Sequence, residues 1–378
     1  MKILIIRLSA MGDTIHTLPV AASLKRNLPG LELSWLVEPL SAPLLKNNPA
    51  VDKVYVLHKQ EWLRNLFTKN GGNGGKPNGL AEVYKLIQEL RSQKFDIAVD
   101  LQGLFKSAVF LGLCGAARKL GLSDTREGAR LFIKEVVEVG DWFGTDVHIV
   151  DRGLSVANYI IQTTAPTAAH TKEAEFPLPA PTAESVLLAE KVWGGSGASA
   201  GTQASAPKGQ LQNVVLIPGA TWATKLWAAE KWCKLATQLA KEKGLQKICL
   251  IGTSLERETN SFIEVKLKST VPALQVINLT GQTSLLDLIA LFQRTDLVIG
   301  ADTGPLHLAA AIGHPIVVGV YGSSPRVRNG PYGIKCHTAA LDLWCQPCSQ
   351  KQCPLGTIDC LKQLPVSAVQ LVVEQANT

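Results

Sequence analysis

The stretch TDLVIGADTGPLHLAAAIG, Thr295 to Gly313, carries the densest set of groups able to handle an anion. Leu297-Val298-Ile299 reads as a buried strand, and Gly300 to Gly304 as turn chemistry. Pro305 suits the first position of a helix, where its missing N–H costs nothing, and Gly313 stops that helix. The first N–H groups of a helix lack intrahelical partners and the peptide dipoles favour negative charge there, so a phosphate is the natural guest. His307 falls in that first turn, able to donate to a phosphate oxygen, and Asp302 and Thr303 stand at its mouth. The competing reading makes Asp302 and Thr303 helix caps and His307 a packed core residue.

The same device recurs. After the apolar KILII, the loop Ser-Ala-Met-Gly-Asp leads into a helix over residues 14–27, with Gly12 allowing close approach of a ligand. Asp13 presents a free carboxylate at that helix start, either a base or an N-cap. Asp100, Gln102 and Lys106 crowd the end of another strand, although Lys106 could equally be a solvated helix residue. Arg126 and Arg130 are expected on the same side, or are ordinary surface arginines. Further on, Thr221, Thr224 and Lys225 occupy the loop after a strand, where Lys225 could meet a phosphate as a point charge. Glu256 follows the next strand; it suits a ribose diol, or else complements a helix dipole as a first-turn acid.

The elements that must position these groups are strands at residues 2–6, 32–37, 53–57, 97–101 and 119–122, alternating with helices at 14–27, 40–46, 80–93 and 149–161. A second series has strands at 214–217, 247–251, 276–279 and 297–299, and another within 315–324. Residues 68–78 and 194–209 are Gly-rich and low in core formers, hence loops, and 176–184 is a Pro-rich linker. The expected organisation is a domain over 1–175, the linker, a domain over 185–362 with a Cys-rich loop at 345–360, and a C-terminal helix over 363–378. Loops at strand C-terminal ends carry the ligands in such sheets. The fold class is therefore α/β, two Rossmann-like domains facing each other across a cleft that closes on binding.

At 378 residues the chain is long enough for two cores, and 46% hydrophobic with 18% charged residues describes a globular protein. The net charge of +7 favours anionic substrates or a membrane surface. No block of five basic residues occurs and aromatics make up 6%, so a nucleic-acid partner is not expected. No apolar run approaches the roughly 18 to 20 residues that span a bilayer, and Arg7 and Asp13 interrupt any signal-like segment, so the expected location is cytoplasmic. Eight cysteines without a secretory signal argue against a general disulfide framework. Four of them, Cys345, Cys348, Cys353 and Cys360, follow CxxC-x4-C-x6-C, which fits a structural zinc or iron–sulfur site, reversible disulfides, or plain thiols in a loop.

SAMGDTIHTLP (Ser9 to Pro19), DLQGLFKSA (Asp100 to Ala108), Lys225-Leu226-Trp227, GADTGPLHLAAAIG (Gly300 to Gly313) and NGPYG (Asn329 to Gly333) together resemble glycosyltransferase family 9, the family of the lipopolysaccharide heptosyltransferases, and most of all those of type I. The resemblance implies a GT-B fold, an ADP-heptose donor in the C-terminal domain and an anionic Kdo-lipid A acceptor in the N-terminal domain. It also implies inversion at the anomeric carbon, no required metal, and peripheral contact with the cytoplasmic face of the inner membrane. By motif, Asp13 would be the general base. Thr221, Lys225, Glu256, Asp302, Thr303, Gly304 and His307 would hold the donor, and Ser9, Met11, Gly12, Gln102, Lys106 and Arg126 the acceptor. Three features depart from the family pattern: Ala220 stands where a second Thr is common, Pro305-Leu306 replaces a Leu-Ser pair, and the Cys-rich tail is added. A dehydrogenase is disfavoured, because neither domain's first strand is followed by GxGxxG. A sugar-nucleotide epimerase or hydrolase would share the anion site but need no acceptor groove, and a non-catalytic binding protein would have no use for Asp13.

Overall fold

The structure is a computed structural model that describes residues 1–58, 79–141, 143–167, 173–194 and 211–377. The loop expected at 68–78 lies outside these residues, as does all but Gly194 of the one at 194–209. The chain divides into two compact units, Met1–Ala180 and Pro181–Thr378.

In chain order the first unit runs β1 (Lys2–Ile6), α1 (Met11–Asn27), β2 (Glu32–Val37), α2 (Ala42–Leu45), β3 (Lys53–Val56), α3 (Gly79–Ser92), β4 (Ile97–Asp100), α4 (Phe105–Leu113), β5 (Arg118–Leu122), β6 (Glu135–Val137) and α5 (Ile149–Thr164). The strands form one parallel sheet in the order β3-β2-β1-β4-β5-β6. Side chains alternate across a strand, so β1 supplies both cores. Ile3 and Ile5 pack with Trp35, Val99, Leu18 of α1 and Ile160 of α5. Leu4 and Ile6 pack on the other face with Leu36, Ala98, Phe95 and Phe110.

The second unit runs α6 (Ala183–Trp193), β7 (Asn213–Ile217), α7 (Ala229–Lys243), β8 (Lys247–Leu250), α8 (Arg257–Thr270), β9 (Gln275–Asn278), α9 (Leu285–Phe292), β10 (Leu297–Ala301), α10 (Gly304–Ile312), β11 (Ile316–Val320), α11 (Arg326–Asn329), β12 (Cys336–Ala339), α12 (Asp359–Lys362) and α13 (Val366–Ala376). Its parallel sheet has the order β12-β11-β10-β7-β8-β9, the same winding as the first. Val366, Val369 and Val373 of α13 close its core against Val214, Ile248, Trp232 and Leu235.

In each sheet the order reverses beside the first strand. Loops leaving the C-terminal ends of β1 and β4, and of β7 and β10, therefore emerge side by side, at the crevice where open α/β sheets bind ligands. Local details differ from the sequence expectation for physical reasons. Helix α1 starts at Met11 rather than residue 14, because Asp13, the third helical residue, turns back to accept a hydrogen bond from the Ala10 amide at 3.0 Å. Gly300 is a strand residue, not a turn residue: it pairs with Gly319, and a Cβ there would stand 2.8 Å from Ile217. Pro305 takes the second helical position, after Gly304. Strands β6 and β12 escaped notice because EVV and CHTA are short, half-buried edge segments with no apolar run to announce them.

Candidate active site

In the first unit, buried Arg7 leaves the end of β1 and reaches Asp13 across the turn, Nη2 to Oδ1 at 2.8 Å, while its Nη1 donates to the Leu101 carbonyl. The expected free carboxylate is thus an ion-paired one. Oδ1 is held by Arg7 and Oδ2 by the Ala10 amide, yet the side chain keeps 31% exposure, so it is oriented and still open to a substrate. Neither is Asp13 the N-cap, since Ala10 occupies that position.

Around this carboxylate the switch-point loops are tied together. Gln102 is buried and its Oε1 accepts from the Leu8 amide at 2.9 Å and the Ser9 amide at 3.3 Å. Lys106 Nζ donates to Ser9 Oγ at 2.8 Å and pairs with Glu38 at 3.3 Å. Ser9, Gln102, Lys106 and Asp13 therefore belong to one cluster, with Met11 and Gly12 part-exposed in the first turn of α1. Arg126 docks otherwise: its guanidinium lies 3.9 Å from the centre of the Phe143 ring, and its amide donates to the Gly103 carbonyl. Arg130 Nη1 donates to the Ile133 carbonyl, a local structural tie. Asp100 is structural too. Its Oδ1 accepts from the Gln102 and Gly103 amides and its Oδ2 from Ser107 Oγ, which fixes the turn beneath Gln102. Burial pushes its carboxyl up to about 6, against those hydrogen bonds and the Arg7 charge.

In the second unit the loop after β7 meets the loop after β10. Lys225, at the end of a short 3-10 turn over Ala223–Lys225, places Nζ 2.7 Å from Asp302 Oδ2 and 4.5 Å from the centre of the Trp222 ring. The other carboxylate oxygen of Asp302 meets His307 Nε2 at 3.1 Å and lies 3.4 Å from Tyr321 Oη, which also donates to the Asn329 carbonyl at 2.8 Å. Burial alone would raise the Asp302 carboxyl, but the His307 hydrogen bond and the Lys225 charge hold it well below the usual carboxylate range. The Thr303 hydroxyl turns to the Ala301 carbonyl at 3.2 Å instead of capping α10, so no side-chain cap covers that helix start. Gly304 is its first residue.

His307 is thus both packed, at 5% exposure, and hydrogen-bonded to Asp302. Thr221 is exposed on the loop before Lys225. Glu256 uses Oε2 to accept from the Thr253 amide and hydroxyl, both at 2.6 Å, closing a capping box. Its stem packs on the β7 loop so closely that a Cβ on Gly219 would meet Glu256 Cγ at 2.1 Å. Glu256 is thus a first-turn acid, and its stem lies against the loop that follows β7. Arg7, Glu38 and Tyr321 were missed by sequence reasoning. The available signal was an ionisable or hydroxyl group directly after an apolar strand run, ILII-Arg7, SWLV-Glu38 and IVVGV-Tyr321.

The chain is 27% identical over 360 residues to lipopolysaccharide heptosyltransferase 1 of Pseudomonas aeruginosa, covering 93% of this chain and 87% of that protein. It is 26% identical over 331 residues to the lipopolysaccharide core heptosyltransferase OpsX of Haemophilus influenzae, covering 87% of this chain and 81% of that one. Among solved structures, E. coli heptosyltransferase WaaC with ADP superposes with a TM-score of 0.71 at 22% identity over the full length of both chains. The E. coli ADP-heptose heptosyltransferase II gives 0.69 at 21%, again over both full lengths, and these likenesses place the fold in the GT-B class. The family model for glycosyltransferase family 9 (heptosyltransferase) matches residues 83–359, a span holding the Lys106, Lys225, Glu256 and Asp302–His307 positions. The chain belongs to glycosyltransferase family 9.

Proposed function

We propose that this glycosyltransferase moves a heptose from ADP-heptose onto the inner core of a lipopolysaccharide, a Kdo-lipid A-like acceptor. The observation that carries this reading is the Lys225–Asp302–His307 network at the uncapped start of α10. The curated relatives named above are lipopolysaccharide heptosyltransferases, and WaaC has been solved with ADP and with ADP-2-deoxy-2-fluoro heptose.

In this mechanism the first amides and dipole of α10, with Lys225, face the diphosphate as negative charge grows on it during C1–O cleavage. Asp302 and His307 fix Lys225 and the turn, so the cationic group is set before the donor arrives. Thr221, Thr303 and Gly304 line the donor, and Glu256 offers its Oε1 to the ribose hydroxyls. On the acceptor side Asp13, steadied by Arg7, takes the proton from the attacking hydroxyl. One base and one displacement give inversion. Ser9, Met11, Gly12, Gln102 and Lys106 form the acceptor wall, and Arg126, expected among them, is held against Phe143 instead. The +7 net charge suits an anionic glycolipid, met peripherally at a membrane face; among the described residues no helix is long and apolar enough to cross a membrane.

The test is an incubation with a panel of nucleotide sugars, with and without Kdo-lipid A, read by mass spectrometry. ADP-heptose should be consumed only with acceptor, and a heptosylated glycolipid should appear. Sugar release without acceptor would instead identify a hydrolase, and a changed but uncleaved nucleotide sugar an epimerase. Asp13→Asn keeps shape but removes basicity, so it should bind ADP as the parent does and lose about 10²- to 10⁴-fold in turnover. A variant turning over at more than about a tenth of the parental rate would end the base assignment.

A further inference from the structure

Donor and acceptor chemistry leave the four clustered cysteines unused. Cys345, Cys348, Cys353 and Cys360 all line a single cavity of about 360 Å³ in the second unit. All four are free cysteines. Around Cys353 the chain turns sharply, with Gly356 at φ +70° and Ile358 at φ +53°. A β-branched residue rarely adopts that left-handed conformation. That turn gathers the Ile358, Leu355 and Thr357 amides about Cys353, while the Gly356 amide donates to the Cys353 carbonyl at 3.0 Å. Amide donors around a sulfur are the outer support that a metal-bound thiolate needs, because they stabilise the S⁻ and fix its direction.

We infer that Cys345, Cys348, Cys353 and Cys360 form a tetrathiolate site for one thiophilic transition-metal ion, zinc or iron. Soft sulfur donors in a set of four select these ions. Among the described residues no three ligating side chains already converge on a point, so binding draws the sulfurs inward across the cavity, releasing the thiol protons to solvent as S–metal bonds form. The site is structural, and its loop is fastened to the Lys225 turn. Thr224 Oγ1 donates to the Gln350 carbonyl at 2.6 Å and meets Ser323 Oγ at 3.0 Å. The Ser349 amide donates to the Ser323 carbonyl at 2.9 Å, and Gln346 Nε2 to the Gly322 carbonyl at 2.7 Å. A metal that stiffens residues 345–360 therefore stiffens the turn that aims Lys225. Metal binding stands independently of the proposed donor; only this coupling rests on it.

The full-length chain, purified anaerobically from cells supplied with zinc or with iron, should carry about one metal ion per chain, and the two cultures distinguish the ions. Removing it with a chelator and adding Co²⁺ should produce an intense thiolate-to-cobalt band in the near ultraviolet with tetrahedral visible bands, a readout that needs no variant to fold. Cys353→Ser and Cys348→Ser should lower the metal content at least tenfold. Metal at background in both cultures with no cobalt spectrum would overturn the site, as would peptide mapping that finds disulfides among these cysteines in the anaerobic protein. Stripping the metal should weaken ADP binding severalfold by calorimetry. Unchanged ADP affinity would overturn the coupling to Lys225, and none of these metal measurements depends on the identity of the sugar.

Discussion

Asp302 is a buried carboxylate whose charge is met by its neighbours. It is 7% exposed and leans on Lys225 and His307, so removing a partner strands a charge in a poor dielectric. Lys225→Ala should cost about 3 kcal/mol of stability, the low end for breaking a buried pair, because Lys225 keeps 18% exposure; Lys225→Arg should recover most of it. Urea unfolding of the three proteins is the check, and a parent-like Lys225→Ala would mean that Asp302 is satisfied elsewhere. Asp100 makes the opposite prediction with pH. Its folded value of about 6 lies above the unfolded value near 4, so its stabilisation is fully present below about pH 4 and is lost as pH rises through 6. The loss by pH 8 is on the order of 3 kcal/mol. Asp302, held low, behaves inversely: its contribution is present above about pH 4 and lost only in stronger acid. Asp100→Asn should therefore flatten the stability profile between pH 4 and 7, and a slope equal to the parent's would contradict the assignment. At this scale the sequence singles out Asp13, Lys225, Asp302 and His307 but not what each one touches. Arg7 is invisible as a partner because its reach to Asp13 depends on how the β1 strand ends, not on spacing.

Elements were legible wherever a strand is buried on both faces, since KILII, ELSWLV and NVVLI carry continuous apolar runs. They were not legible at β6 and β12, where short, half-exposed segments break the pattern. Turns were the least readable, because their geometry is set by neighbours distant in sequence. Gly322 is the sharpest case. A Cβ there would stand 2.6 Å from the Thr224 carbonyl and 2.8 Å from Leu361 Cγ, so this glycine lets the turn bearing Lys225 rest on the end of β11. Gly322→Ala should lose about 1 to 3 kcal/mol, the usual cost of overpacking, and weaken ADP binding more than it weakens folding. Calorimetry beside thermal unfolding separates the two, and equal losses would mean that the turn has not moved.

For the whole molecule the relevant fact is that each unit has its own sheet and its own core. A ligand held by one unit stabilises that unit by mass action, about 2.7 kcal/mol at a hundredfold excess over Kd. Amide exchange with saturating ADP should therefore show slowed exchange in residues 211–377, strongest at β7, β10 and α10, and little change over β1 to β6. Protection spread evenly over both sheets would place the nucleotide differently. The chain passes from one unit to the other between Ala180 and Pro181, and α13 packs inside the second core. The sequence is therefore modular at that seam. A hybrid that joins residues 1–180 to the second unit of another family member leaves both hydrophobic interiors uncut, so under the proposed roles donor choice should travel with that unit as a single cassette.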